Sequence, residues 1–172
     1  MKKVRKCLPL KKISETDDIF NEIHRLNKEA DENDGVLRIS LDTKATVLIG
    51  MLSRGGHNRQ GTNACDHDFQ ADAKLVPFGI LLPHNGKSHL WFSESKVTAD
   101  FMIDQIAAMI PRWKSDYDIH TLVINVDNGP EYSGRRTQWL KRMVELSDAN
   151  QVSIQLAYYP PYHSKYNPVE RL

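Results

Sequence analysis

Three acidic residues stand where the sequence pattern predicts that a strand ends or a helix begins. Asp42 ends the alternating segment LRISLDT, Asp127 follows the apolar segment TLVINV, and Glu170 follows a proline-rich loop. Asp127 lies 85 residues after Asp42, and Glu170 lies 43 residues after Asp127, so only the fold could bring them together. Together, three carboxylates would offer the oxygen ligands that Mg²⁺ and Mn²⁺ prefer. Two such ions about 4 Å apart activate the attacking oxygen and stabilise the leaving oxygen of a phosphodiester.

Each of these acids also has a purely structural interpretation. Asp127 precedes Asn-Gly and Gly-Pro dipeptides, which are strong turn formers. Glu170 is the third residue of a helix start whose cap is Asn167, and there its side chain would bond back to the Asn167 backbone. Asp42 fits a solvated strand end. The residues alone leave both interpretations open.

Basic residues gather in two places, and either group suits phosphate contacts or a solvated surface. The first group lies within residues 1–12, and the second lies on a predicted helix and consists of Arg135, Arg136, Lys141 and Arg142. His163 and Lys165, close to Glu170, are further candidates for contact with DNA phosphates. The net charge of +1 favours no particular partner.

Other signals are weaker or absent. Asp66-His67-Asp68 could ligate a metal ion, although a loop of mixed charge is the commoner explanation. Cys7 and Cys65 fit neither a metal-ligand spacing nor a disulfide framework. The chain has no P-loop, dinucleotide-binding or GxSxG motif, so we expect no small-molecule substrate. No segment approaches the ~20 apolar residues of a membrane span, which predicts a cytoplasmic protein without a membrane partner.

The length of 172 residues and the mean hydropathy of −0.51 are typical of one globular domain. Apolar periodicity predicts an α/β protein with helices at 14–30, 99–110 and 134–149, and strands at 37–43, 46–52, 76–82, 89–92, 121–126 and 152–157. Hairpin-connected strands that lead into βαβ units imply a mixed sheet with helices packed against it. If the first strand neighbours strand 121–126, Asp42 and Asp127 lie side by side.

Several blocks resemble, in order, the DDE transposases of bacterial insertion sequences known as Rhodopirellula-type transposases. These blocks are SLDTKATVLIG, SRGG, DHDF, VPFGIL, VINVDNGPEYSGRRTQWLKRMVE and YYPPYHSKYNPVER. The resemblance extends from about Ile13 to Leu172. It implies an RNase H-like fold, in which a five-stranded mixed sheet of order 3-2-1-4-5 has helices on both faces.

The resemblance also implies a role for each matched acid. Asp42, Asp127 and Glu170 are the expected catalytic residues and the ligands of two Mg²⁺ or Mn²⁺ ions. The implied reaction is hydrolysis at a transposon end, followed by attack of the freed 3′-hydroxyl on target DNA. The expected partners are DNA and further copies of the chain in a synaptic assembly. The alternatives are an RNase H-like nuclease without strand transfer and a non-catalytic, nucleic-acid-binding remnant.

Two departures from the family pattern qualify this expectation. Residues 1–12 are too short for a helix-turn-helix region, and the chain ends two residues after Glu170. We therefore expect a basic segment and helix in residues 1–35, and a truncated catalytic core in residues 36–172. We expect Glu170 to be frayed, because a one-turn helix is not stable alone, and the isolated chain to have weak activity or none.

Overall fold

Strand β1 lies at the centre of a mixed sheet that determines where the three acids are placed. The computed structural model describes residues 13–50 and 71–171, and all structural statements below concern these residues. The strands are β1 (Val36–Thr43), β2 (Val47–Ile49), β3 (Ala73–Leu82), β4 (Lys87–Ser93), β5 (Thr121–Val126) and β6 (Ser153–Tyr158). The helices are α1 (Thr16–Glu32), α2 (Ala99–Tyr117) and α3 (Thr137–Asn150). The N-terminal basic group, both cysteines and Asp66-His67-Asp68 lie outside the described residues.

The sheet confirms the predicted mixture of antiparallel and parallel strands. β1 pairs with β3 in antiparallel orientation and with β5 in parallel orientation, while β6 extends the parallel side and β4 the antiparallel side. Without β2, the sheet order is β4-β3-β1-β5-β6. If these five strands are numbered along the chain, this is the expected order 3-2-1-4-5. The difference is β2, a short sixth strand that pairs with the first residues of β3.

The two faces of β1 have different surroundings, as the alternating sequence predicts. One face packs under α2 in a core that includes Leu37, Ile39 and Leu41 of β1 with Met102, Ile103, Ile106, Ile110 and Trp113 of α2. The other face carries Arg38, Ser40 and Asp42. Helix α1 covers its first part, where Arg38 forms an ion pair with Asp31 at 2.7 Å. The polar face of β1 is therefore enclosed by protein rather than open to water.

Helix α2 is longer than the sequence predicts. Thr98 caps its start, since the Thr98 hydroxyl accepts a hydrogen bond from the Phe101 amide at 3.2 Å. The predicted end at Ile110, before Pro111, is wrong, because the helix continues to Tyr117. A proline inside a helix destabilises that helix by about 3 kcal/mol. Burial of Trp113, which is 2% exposed and lies one turn beyond Ile110, offsets that cost.

The apolar spacing of helix α3 predicts a core-facing side built on Leu140, Met143, Val144 and Ser147, but of these only Met143 is buried. Its buried residues are Trp139, Met143 and Leu146, whereas Leu140 and Val144, expected in the core, are 38% and 59% exposed. The large Trp139 ring determines this rotation, because its indole N–H also donates to the Tyr158 hydroxyl at 3.1 Å. No helix within the described ranges is long and apolar enough to cross a membrane.

Candidate active site

The parallel register of β1 and β5 brings two of the acids together. Each paired residue of β5 lies 85 positions after its partner in β1, from Val36 with Thr121 to Ser40 with Asn125. Asp127 lies the same 85 positions after Asp42. The two aspartates therefore leave neighbouring strands at the same level and on the same face.

Glu170 completes the cluster from a short 3₁₀ turn, Pro168–Arg171, which we call the Glu170 turn. Carboxylate oxygens of Asp42, Asp127 and Glu170 all lie within 4.8 Å of one another. The Glu170 carboxylate does not bond back to Asn167 as a helix-capping side chain would, because its oxygen Oε2 lies 2.8 Å from the Lys44 ammonium. Asp42 is likewise no solvated strand end, since it is 4% exposed.

A buried interlock between Ser40 and Asn167 holds the Glu170 turn against β1. The Ser40 hydroxyl donates to the Asn167 side-chain oxygen, and the Asn167 amide donates to the Leu41 carbonyl at 2.9 Å. The Ser40 oxygen also accepts a hydrogen bond from the Val169 amide at 3.1 Å. Both side chains are fully buried. Tertiary contacts, rather than helix length, therefore fix the position of Glu170.

An aromatic cluster supports the segment that leads into the Glu170 turn. The Phe20 ring of α1 makes edge contacts with the rings of Tyr159, His163 and Tyr166 at centroid distances of 6.4, 5.4 and 5.0 Å. Edge-to-face pairs of this kind favour one relative orientation of the rings. Helix α1 thereby helps to set the path of residues 159–166.

The loop after β5 gives Asp127 both a turn role and a place in the cluster. One Asp127 oxygen accepts a hydrogen bond from the Gly129 amide at 3.1 Å, as in an Asx turn. Burial raises the pKa of the Tyr132 hydroxyl, and the neighbouring Asp127 carboxylate raises it further. A Cβ atom on Gly129 would lie 2.9 Å from the Tyr132 ring, so glycine is required for this close approach.

The cluster concentrates negative charge at a buried place. Burial raises the pKa of Asp42, and the nearby charges of Glu170 and Asp127 raise it further, against the lowering effect of Lys44. The Lys44 ammonium lies 2.9 Å from Asp42 Oδ2 and bridges Asp42 to Glu170. Burial lowers the pKa of Lys44, but hydrogen bonds to Glu170 and Asp42 outweigh that effect and raise it.

These residues fit a divalent metal ion. Their donor atoms are carboxylate oxygens, the ligands that Mg²⁺ and Mn²⁺ prefer, and they converge within a few ångströms. The repulsion among the three carboxylates calls for a compensating cation. Asp42, Asp127 and Glu170 would hold the metal, with Asp42 as the most enclosed ligand.

The predicted basic helix is mostly neutralised by neighbouring acids. Arg142 pairs with Asp104, with Asp100 at 3.0 Å and with Glu145 at 3.3 Å, so it joins α3 to α2. Lys141 pairs with Glu145 at 3.7 Å. Arg136 pairs with Glu131 at 3.2 Å and, like Arg135, precedes the helix rather than belonging to it. Arg135 is exposed, and no ion pair links it to another described residue.

His163 and Lys165 occupy different environments, although both lie near the Glu170 turn. His163 is 3% exposed, and its Nδ1 atom lies 2.7 Å from the Pro161 carbonyl oxygen. Lys165 is exposed and its ammonium lies 5.4 Å from the centre of the Tyr166 ring. Lys165 is therefore accessible to a phosphate group, whereas His163 is enclosed in the aromatic cluster.

Several solved structures share the fold of this domain. The Mos1 transposase paired-end complex with left transposon end matches with a TM-score of 0.53 and 11% identity over 98% of this chain and 49% of that chain. The Mos1 mariner paired end complex with Mn matches with a TM-score of 0.53 and 11% identity over 98% and 50% of the two chains. The simian T-cell lymphotropic virus intasome in complex with PP2A regulatory subunit B56 gamma matches with a TM-score of 0.51 and 13% identity over 81% and 38%. The fold is therefore RNase H-like, as expected.

The family follows from the sequence of the whole chain. The model of the Rhodopirellula transposase DDE domain family matches residues 1–172, and the chain belongs to this family. No curated protein sequence matches this chain. The chain spans about half the length of the Mos1 chains that it resembles. The family makes the chain a transposase DDE domain, and its RNase H-like fold agrees with that.

Sequence patterns did not single out Lys44, Ser40 or Tyr132, and they indicated Asn167 only as a helix cap. Lys44 and Ser40 flank Asp42 within SLDTK, and Asn167 lies in the NPVE block, so their closeness to the acids was a usable signal. Nothing in the sequence shows that Ser40 and Asn167, 127 residues apart, meet inside the protein. Tyr132 gave no signal beyond its place in the DNGPEY block.

The Ser40–Asn167 interlock predicts the effect of Asn167→Ala. Loss of the amide leaves buried polar groups without partners, so the free energy of unfolding should fall by about 1–3 kcal/mol in urea denaturation. Because the Glu170 turn is released, Mn²⁺ binding measured by calorimetry should also weaken in the folded variant.

Asn150→Ala removes a comparable bond, from the Asn150 amide to the Leu146 carbonyl, far from the cluster. This control should lose stability only. Unchanged Mn²⁺ affinity in folded Asn167→Ala would contradict a positioning role.

Proposed function

We propose that this domain is the catalytic core of a DNA transposase, which hydrolyses phosphodiester bonds at transposon ends and joins the ends to target DNA. The observation that supports it most directly is the convergence of Asp42, Asp127 and Glu170 within 4.8 Å in an RNase H-like fold of the transposase DDE family. The proposed unit is residues 36–172, preceded by a basic segment and helix in residues 1–35.

In this proposal the three carboxylates bind two Mg²⁺ or Mn²⁺ ions. Bound ions of this kind lower the pKa of a water molecule or hydroxyl nucleophile and stabilise the leaving oxygen of a phosphodiester. Asp42 is held by β1, and the Gly129 amide orients Asp127, which lies beside the Tyr132 hydroxyl. Glu170, whose side chain is 28% exposed, borders the side from which DNA would approach. The chain's own contribution is to fix these oxygens before the substrate arrives.

DNA is the proposed substrate and partner, and a homo-oligomer is the proposed working assembly. The similar Mos1 structures are paired-end complexes, one of them with the left transposon end, which supports both proposals. Exposed Arg135 is the strongest candidate for a phosphate contact, and exposed Lys165 is a further one. Arg136 and Lys141 are weaker candidates because each already has an acidic partner. Arg142 and His163 are better explained by their contacts within the protein.

A cleavage and joining assay tests this function with the full 172-residue chain. Oligonucleotide duplexes that carry the terminal repeats flanking the gene are incubated with supercoiled plasmid and Mn²⁺. We expect end cleavage and joined products at low yield, in line with the weak activity expected from the sequence. We expect Asp127→Asn to lose at least about 10²-fold of this activity, since one ligand of the reacting centre is gone. Asn preserves the turn, so the variant should remain folded. Asp148→Asn, which changes an exposed acid of α3, serves as the control.

The products of that assay separate the alternatives. Cleavage without joining would favour an RNase H-like nuclease. DNA binding without cleavage, by a folded protein that also binds Mn²⁺, would favour a non-catalytic remnant. Cleavage that Asp127→Asn leaves intact would contradict the assignment of the three acids.

Arg135→Ala tests the proposed DNA contact. If Arg135 neutralises one phosphate, the variant should bind a duplex more weakly, and the slope of log affinity against log salt should decrease by about 0.9. Fluorescence anisotropy at several salt concentrations measures both quantities. Arg112→Ala removes a charge from the exposed side of α2, where Arg112 pairs with Asp116 at 3.8 Å, and should leave the slope unchanged. An unchanged slope for Arg135→Ala would show that Arg135 belongs to a solvated surface.

A further inference from the structure

Lys44 occupies the position at which the proposed metal site needs positive charge. Its ammonium lies 2.9 Å from Asp42 Oδ2 and 2.8 Å from Glu170 Oε2, and so joins two of the three carboxylates. No other described lysine or arginine forms an ion pair with any of the three acids. The Lys44 side chain is 31% exposed, so it reaches the cluster from its open side.

We infer that Lys44 is a built-in counter-ion of the metal-free site, and that a divalent cation must displace it in order to bind. This inference rests on the proposed function and adds a residue to it. The oxygens of Asp42 and Glu170 that contact the ammonium are among the ligands that a metal would use. A metal ion at about 2.0–2.2 Å from these oxygens would also meet the ammonium as a like charge a few ångströms away.

The backbone around Lys44 allows such an exchange without a change in the fold. The Lys44 amide donates to the Pro77 carbonyl at 2.9 Å, which continues the pairing of β1 with β3 and fixes the start of the side chain. The four-carbon side chain carries a compact charge on rotatable bonds, so the ammonium can turn towards solvent while the backbone stays in place. Only side-chain rotation is needed.

Two consequences follow for the metal-free protein. Lys44 lowers the repulsion among the three acids, and without it Asp42 would be a buried carboxylate lacking its ion-pair partner. Lys44 therefore stabilises the metal-free protein. For the same reason it weakens metal binding, because its contacts are lost when the cation enters.

The test compares Lys44→Met with Lys87→Met, which removes the same charge from the exposed start of β4. Calorimetry measures Mn²⁺ binding, and thermal unfolding in EDTA measures the stability of the metal-free protein. We expect Lys44→Met to bind Mn²⁺ at least about tenfold more tightly than wild type, because a like charge beside the metal is gone. We also expect its melting temperature in EDTA to fall by a few degrees. Lys87→Met should change neither quantity.

The outcomes separate this inference from the proposed function. If wild type binds Mn²⁺ and Lys44→Met binds it equally or more weakly, the inference is overturned and the metal site stands. If neither protein binds Mn²⁺ while both are folded, the metal site itself is overturned, and the inference with it. Binding seen only in Lys44→Met would support both. Lys44→Gln, which keeps a hydrogen-bond donor without the charge, repeats the comparison if the Met variant does not fold.

Discussion

The parallel pairing of β1 with β5 is the constraint on which the rest of the site depends. A shift of this register by one residue would turn the Asp127 side chain to the opposite face of the sheet, away from Asp42. The register is held by the core beneath α2, where the apolar residues of both strands are buried. Hydrophobic burial on one face thereby specifies the position of charged groups on the other.

The second constraint is the negative charge of the three carboxylates, whose mutual repulsion destabilises the folded protein. Three carboxylates converge where burial already raises the pKa of Asp42, an arrangement that a purely structural domain would have no reason to keep. The fold compensates with Lys44, the Ser40–Asn167 interlock and the Tyr132 hydroxyl, each of which holds or neutralises one part of the cluster. In the proposed function, this arrangement serves to bind metal ions.

Sequence patterns predicted the elements well where periodicity was strong. The alternation of β1 and the apolar run of β5 each predicted a strand, and the structure confirms both. Prediction was wrong at Pro111 and on the buried face of α3, because packing of Trp113 and Trp139 outweighed local preferences. Asp42 and Asp127 were candidates because strand ends are visible in a sequence, whereas Glu170 was a candidate because of the proline-rich loop before it and the resemblance of its block to the family. Lys44 as a bridge and Asn167 as an anchor depend on contacts that only the tertiary structure creates.

The central claim is that Asp42, Asp127 and Glu170 form one cation site, and anomalous diffraction from crystals grown with Mn²⁺ tests it most directly. Data on both sides of the manganese absorption edge would locate the ions without reference to activity. We expect a peak within about 2.0–2.3 Å of oxygens from all three residues, with a second peak about 4 Å away when DNA is bound. An ordered site without a peak at saturating Mn²⁺, or a peak elsewhere with Glu170 turned away from the aspartates, would contradict the claim.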